Sequence, residues 1–257
     1  MTQAVILCGG LGTRLREETE FKPKPMVPIG DKPILWHIMK HYRAHGVRDF
    51  ILCLGYKGEV IRDYFLNFRN YGNDVHVDLS NGVVTALSEE KTDWRITLVD
   101  TGATALTGAR VKRAAKFIED DKFFATYGDG VTNIDIAKLL EFHNAEGRKA
   151  TVTAVRPPSR FGELLLEDGV VRSFVEKPQT GAGWINGGFF FFDTAAVRAL
   201  PDNEDLSLES HVLEGLAAQG DLSVYKHPGF WQCMDTHREM QILNDIWARG
   251  AAPWKTA

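Results

Sequence analysis

The chain has 257 residues, 44% hydrophobic and 25% charged, the balance of a soluble globular protein able to bury a large core in one or two domains. A formal charge of −4, with acids and bases interspersed, excludes a basic face for nucleic acid and a polybasic membrane anchor. The N-terminus lacks a basic region followed by a long apolar run, and the most apolar stretch, Phe189 to Phe192, is too short to span a bilayer, so a cytoplasmic location without membrane contact is expected. Cys8, Cys53 and Cys233 are far apart and fit reduced thiols, with no zinc-type spacing.

The first predicted strand, Ala4–Leu7, runs directly into Cys8-Gly9-Gly10-Leu11-Gly12-Thr13-Arg14-Leu15. Three glycines in four positions let backbone N–H groups approach an anion that a Cβ would push away, and Arg14 adds a permanently charged fork suited to phosphate oxygens. It is neither of the two common phosphate loops. A Walker loop needs a lysine the turn lacks, and a dinucleotide fingerprint starting at Gly10 needs glycine or alanine where Leu15 stands.

Next, Phe21-Lys22-Pro23-Lys24-Pro25-Met26 sets two lysines between prolines that exclude a helix and stiffen the backbone, a frame in which either lysine can act as a point charge on phosphate or lie solvated on the surface. A helix over 34–45, a strand over 49–54, a helix over 60–68, a strand over 123–127 and a helix over 135–145 follow. The strands read as continuous apolar runs, as in a parallel sheet covered by helices on both faces. Directly after the fourth stretch comes Gly128-Asp129-Gly130, an acid exposed by flanking glycines and fit for a ligand, a metal or an Asx turn.

The second half predicts strands over 150–156, 162–166, 170–176 and 187–192, their short hairpin-like spacing pointing to antiparallel additions to the same sheet. Asp235 closes the aromatic run Phe230-Trp231-Gln232-Cys233-Met234 just before a last helix over 236–249, where it could cap the helix or reach a ligand. Met240, Leu243 and Trp247 sit at helical spacing there, as core or subunit contact. The aromatic end from Trp247 to Trp254 points to a subunit contact and hence a homo-oligomer. Two carboxylates from different loops, Asp129 and Asp235, would suit Mg²⁺, which takes few protein ligands and shares the rest with phosphates. The expected fold is α/β: one domain over 1–257 with a doubly wound, mostly parallel sheet, antiparallel additions and a C-terminal helical segment, divided into a nucleotide-binding half (1–150), a sugar-phosphate half (151–235) and a helix with tail (236–257).

The order Gly-Gly-Leu-Gly-Thr-Arg-Leu, Lys-Pro-Lys-Pro-Met, Tyr-Gly-Asp-Gly, Glu176-Lys177-Pro178 and Asn186-Gly187-Gly188-Phe189 resembles the sugar-phosphate nucleotidylyltransferases over nearly the whole chain. The resemblance implies a nucleotide cradle of Leu7, Cys8, Gly9, Gly10, Leu11, Gly12 and Thr13, with Arg14 on the triphosphate and Lys24 near the reacting phosphates. It places Ala105, Thr107, Arg110 and Gly128 at the nucleotide, Gly162, Glu176, Lys177, Asn186 and Gly188 at the sugar phosphate, and Asp129 and Asp235 on the metal. Arg14, Lys24 and Asp129 carry catalysis in this reading. Cys8 stands where relatives have alanine, and Ala105 where a small polar residue is expected. Asp100-Thr101-Gly102, residues 107–113 and His227-Pro228-Gly229-Phe230-Trp231-Gln232 point, within the family, to CTP and glucose 1-phosphate as substrates. A sister enzyme using dTTP or UTP, and a catalytically silent nucleotide-sugar sensor, are the alternatives.

Overall fold

The computed structural model describes residues 2–88, 92–157, 163–167, 170–175 and 183–255. Its centre is a seven-stranded sheet of β1 (Gln3–Leu7), β2 (Asp49–Leu54), β3 (Arg95–Asp100), β4 (Lys122–Tyr127), β5 (Ala150–Val155), β6 (Ile185–Asp193) and β7 (Leu222–His227), in the spatial order β7-β5-β6-β4-β1-β2-β3. Strand β1 is parallel to β2 and β4, β2 to β3, and β5 to β7, while β6 runs antiparallel to both β4 and β5. Among the described residues the longer helices beside the sheet are α1 (Ile34–Ala44), α2 (Gly58–Leu66), α3 (Thr107–Ala114), α4 (Ile136–Glu146) and α5 (His237–Ala248).

The continuous apolar runs have a direct structural cause. Ala4 and Ile6 of β1 enter a core shared with α1, α4 and α5, whereas Val5 and Leu7 enter a second core shared with α3. Phe189 and Phe191 likewise face the first core, and Phe190 and Phe192 the second. Strands covered on both faces have no solvent side, so alternation disappears.

The mixed, mostly parallel sheet agrees with the expected fold, with differences in detail. Strands β3 and β7 were not expected; both are edge strands, and Arg95, Thr97 and Lys226 interrupt their apolar character. The segments Glu163–Glu167 and Val170–Val175 pair only with each other as a separate hairpin, instead of extending the sheet. Strand β6 starts at Ile185, and its register against β5 shifts between Val152 and Ala154, a bulge that falls at Gly187 and Gly188. Bulges bend a strand and re-aim the side chains beside it. Gly188 has φ 77°, and a side chain there would run into the Tyr127 ring, so both backbone shape and space demand glycine.

The last helix is capped by Thr236 together with Glu239 in a reciprocal capping box, and its apolar stripe buries Leu243. Trp254 is buried, stacking on Phe230 at 5.4 Å and Trp247 at 6.5 Å. The aromatic chain end expected to meet another subunit thus closes the core of its own chain. Cys8 and Cys53 are buried free thiols and Cys233 a half-buried one. Among the described residues no helix is long and apolar enough to cross a membrane.

Candidate active site

Parallel strands put their carboxyl ends on one edge of the sheet, where loops form a ligand crevice. Here that edge carries a cleft of about 280 Å³ lined by Leu7, Cys8, Gly9, Gly10, Gly12, Lys24, Pro25, Ala105, Leu106, Thr107, Arg110, Tyr127, Gly128 and Asp129. Ten of the residues the resemblance assigns to the nucleotide line it. Leu11, Thr13 and Arg14 stand exposed beside it.

The floor of the glycine loop is held by Arg110. Its guanidinium is buried, Nη1 donating to Leu54 O at 3.0 Å, Thr101 Oγ1 at 2.8 Å and Gly102 O at 2.8 Å, and Nη2 to Gly9 O at 3.2 Å and Ala103 O at 3.3 Å. Burial pulls its pKa down from the usual arginine value, and five acceptors compensate the charge. Arg110 therefore ties the glycine loop, the end of β2 and the loop after β3 into one unit. A side chain at Gly9 or Gly55 would collide with the guanidinium, which explains two glycines by close approach. Gly128 is explained the same way, since a Cβ there would lie 2.8 Å from Leu7 O and 2.9 Å from Pro25 Cγ.

Four charged side chains from four segments meet at the cleft. Lys24 Nζ donates to Asp129 Oδ2 at 2.8 Å and to Asp235 Oδ1, and Arg14 Nη1 lies 2.9 Å from Asp235 Oδ2. Burial lowers the Lys24 ammonium's pKa, but the two carboxylates outweigh it and hold the pKa above the ordinary lysine value. The two lysines of the proline frame are thereby separated. Lys24 is buried, whereas Lys22 reaches Glu18 at 3.2 Å one helical turn back, a surface pair.

Asp129 and Asp235 are brought together by pairing distant in sequence. Gly130–Thr132 pairs antiparallel with Trp231–Cys233, and Met234 N donates to Asp129 O at 2.8 Å. Thr236, one residue on, takes the helix N-cap, which leaves the Asp235 carboxylate to Lys24 and Arg14. A hard divalent cation fits this donor set, two carboxylates already converging on one positive charge. A second grouping, Cys233, Asp235 and Glu239, has ligand atoms within 4.8 Å of one another. It fits such an ion less well: burial pushes the Cys233 thiol up to about 12, and Glu239 Oε2 accepts from the N–H groups of Asp235 and Thr236.

Tyr127 of the cleft lining and Glu209, which bonds to it, escaped the sequence reading. Tyr127, the last residue of β4, donates its phenol proton to Glu209 Oε1, and burial, with that carboxylate, pushes its pKa well up. Glu209 Oε2 accepts from Thr107 Oγ1 at 2.8 Å. Tyr127 could have been found by its place before Gly128-Asp129; nothing local marks Glu209, which lies far along the chain in the π-helix Leu208–Leu213. Asn186 and Gly188 lie at the β6 bulge next to Tyr127. Gly162, Glu176 and Lys177 lie outside the described residues.

Comparison with known proteins adds to this geometry. The chain is 51% identical to the glucose-1-phosphate cytidylyltransferase of Salmonella typhi over 255 residues, 99% of either chain, and equally similar to the Salmonella typhimurium protein of the same name. Among solved structures, HddC from Yersinia pseudotuberculosis superposes with a TM-score of 0.72 at 25% identity, covering 96% of this chain and 100% of its own. The sequence profile described as nucleotidyl transferase matches residues 3–239. The chain belongs to the nucleotidyl transferase family.

Proposed function

We propose that this enzyme transfers a cytidylyl group from CTP to α-D-glucose 1-phosphate, giving CDP-glucose and pyrophosphate. The observation that carries the reaction type is the meeting of Lys24, Arg14, Asp129 and Asp235 at the mouth of a glycine-loop cleft. The choice of base and sugar is supported by the full-length similarity to the Salmonella proteins.

The chemistry joins two polyanions, a sugar-phosphate oxygen attacking the α-phosphorus of the nucleotide as pyrophosphate leaves on the opposite side. Charge repulsion is the obstacle, so positioning and electrostatic stabilisation supply most of the acceleration. Backbone N–H groups of Gly9 to Thr13 receive phosphate oxygens, and the exposed Arg14 fork and the Lys24 ammonium carry positive charge to them. Two cations and two carboxylates cancel formally, so holding a triphosphate here calls for added positive charge. Asp129 and Asp235 would hold Mg²⁺, which neutralises phosphate oxygens and stabilises the leaving pyrophosphate.

On the sugar side, Lys177 meets the phosphate of the acceptor, Glu176 accepts from sugar hydroxyls, and Gly162, Asn186 and Gly188 complete the subsite. In this reading 1–150 serves the nucleotide and 151–235 the sugar phosphate, with the helix and tail from 236 closing the core. A cytoplasmic location suits a consumer of nucleoside triphosphates. A homo-oligomer belongs to the same reading; the exposed Val77, Leu79, Val83 and Val84 of the hairpin Val75–Asp78 with Val83–Ala86 offer it a better contact than the buried Trp254.

The test is a screen of CTP, dTTP, UTP, ATP and GTP with glucose 1-phosphate and Mg²⁺, followed by pyrophosphate release. CTP should dominate. A higher turnover with dTTP or UTP would reassign the base, and silence with all five would favour a sensing subunit.

A further inference from the structure

Glu209 is remote in sequence from Thr107 and Tyr127 of the cleft lining, yet its carboxylate accepts from both, and from its near neighbour Ser207. Oε1 accepts the Tyr127 phenol proton, and Oε2 accepts from Thr107 Oγ1 at 2.8 Å and Ser207 Oγ at 2.9 Å. Thr107 Oγ1 in turn accepts from Leu208 N at 2.9 Å, so its hydroxyl has one fixed orientation. The other arm is equally directional. Asn186 Oδ1 accepts from Gly188 N at 2.8 Å, and Gly188 lies so close against the Tyr127 ring that a Cβ there would come within 2.4 Å of it. The Tyr127 ring, fixed by its phenol's bond to Glu209, therefore backs the bulge that carries Asn186 and Gly188.

We propose that Glu209 is a positioning residue that orients the two sides of the cleft at once, Asn186 through Tyr127 on the sugar-phosphate side and Thr107 directly on the nucleotide side. The chain of contacts runs from Asn186 and Gly188 to the Tyr127 ring and through its phenol to Glu209, and from Thr107 to Glu209. The phenol and hydroxyl donors in it are directed by the carboxylate, which stays ionised because they outweigh its partial burial and hold its pKa below the usual value. A carboxylate is required because only an acceptor on both oxygens can receive all three protons. An amide cannot. The inference rests on the proposed division of the cleft into a sugar-phosphate side and a nucleotide side.

The arrangement gives a pattern of Michaelis constants that a purely structural brace would not. Tyr127→Phe cuts only the first arm, so KM for the sugar phosphate should rise roughly tenfold, the cost of one charge-assisted hydrogen bond, while KM for the nucleotide stays within about twofold. Glu209→Gln leaves one acceptor oxygen where two are used, so at least one arm breaks and the Michaelis constant read through that arm should rise. Adding Asn186→Ala to Tyr127→Phe should raise the sugar-phosphate KM little beyond the larger single effect, because the two act in series.

The wild-type protein is first screened for its preferred nucleotide and hexose 1-phosphate, and the variants are compared on that pair. A wrong substrate assignment then shows in the wild type, and a wrong role for Glu209 only in the variants. Thermal midpoints are read alongside. A lowered midpoint with both KM values unchanged in Glu209→Gln would make the residue a mere brace and overturn the proposal, as would fully additive effects of Tyr127→Phe and Asn186→Ala.

Discussion

In the first half of the chain, two of the loops that reach the cleft are aimed by the strand just before them: Leu7 of β1 leads into Gly9 and Gly10, and Tyr127 of β4 into Gly128 and Asp129. The second half supplies Asp235 and Glu209 by another route. Asp235 is delivered by the pairing of Trp231–Cys233 with Gly130–Thr132, and Glu209 by a π-helix that crosses to α3 and β4. Local delivery makes a site robust and readable, because strand direction fixes where the next side chains go. Delivery by distant pairing makes the same site depend on contacts that look purely structural.

The largest expected effect falls on Lys24, a first-half residue that bonds one aspartate from each route. Lys24→Ala should lower turnover by on the order of a hundredfold or more with the fold retained, since the ammonium acts where charge develops on the leaving group. Lys22→Ala, which loses only a surface pair with Glu18, should change turnover by less than about twofold. Steady-state rates of the two variants side by side check this, and equal mild losses would show that the proline frame serves another purpose.

Asp129 and Asp235 put one member of the comparison on each route. Asp129→Asn and Asp235→Asn should each raise the Mg²⁺ concentration needed for half-maximal rate by roughly tenfold, about 1.4 kcal/mol of binding, because an amide oxygen is a poorer ligand than a carboxylate. Metal titrations measure it, with excess EDTA as the endpoint. Undiminished turnover in EDTA would remove the metal from the reaction.

Much of this molecule can be read from its residues, and the unread part has a physical cause. The buried strands announced themselves by lacking alternation, and the glycine turns by following them directly. Neither β3 nor β7 did, because edge strands carry polar residues such as Arg95 and Lys226 on their open sides. Residue types and spacing left Lys22 and Lys24 equivalent, with only the family resemblance favouring Lys24, since the difference between them is two carboxylates 105 and 211 positions from Lys24. Asp235 read equally well as a helix cap until Thr236 was seen to hold that place. Glu209 had no local mark, as its partners lie on β4 and at the start of α3.

A smaller effect separates the two routes by stability. Gly128→Ala places a methyl group 2.8 Å from Leu7 O and 2.9 Å from Pro25 Cγ, and backbone that close must shift, at a cost of roughly 1–3 kcal/mol. Trp231→Phe removes the indole N–H that donates to Gly187 O at 2.7 Å and shrinks one buried ring, together about 1–2 kcal/mol. Denaturant titration should therefore rank Gly128→Ala below Trp231→Phe in stability. The reverse ranking would mean that the long-range ladder, not the strand end, is the more rigid support of the aspartate pair.

The last effect, absent at neutral pH, reaches both halves through their buried histidines. His37 and His41 on α1, His143 on α4 and His227 at the end of β7 are all held below the usual histidine pKa, chiefly by burial, His41 down to about 4. A histidine kept neutral in the fold takes up a proton more readily when the chain unfolds. The unfolded state therefore binds more protons between the ordinary value of 6.5 and about 4, so stability is full above that window and falls as pH drops through it. For His41 the loss over the whole window is bounded by about 3 kcal/mol, with no further contribution below it. Thermal midpoints taken from pH 7.5 to 4 should decline with acidification, and His41→Leu should show a shallower decline than the wild type, whatever its midpoint at pH 7.5. Parallel declines in the two proteins would locate the acid sensitivity in the other three histidines or in the carboxylates, and would leave His41 without a part in it.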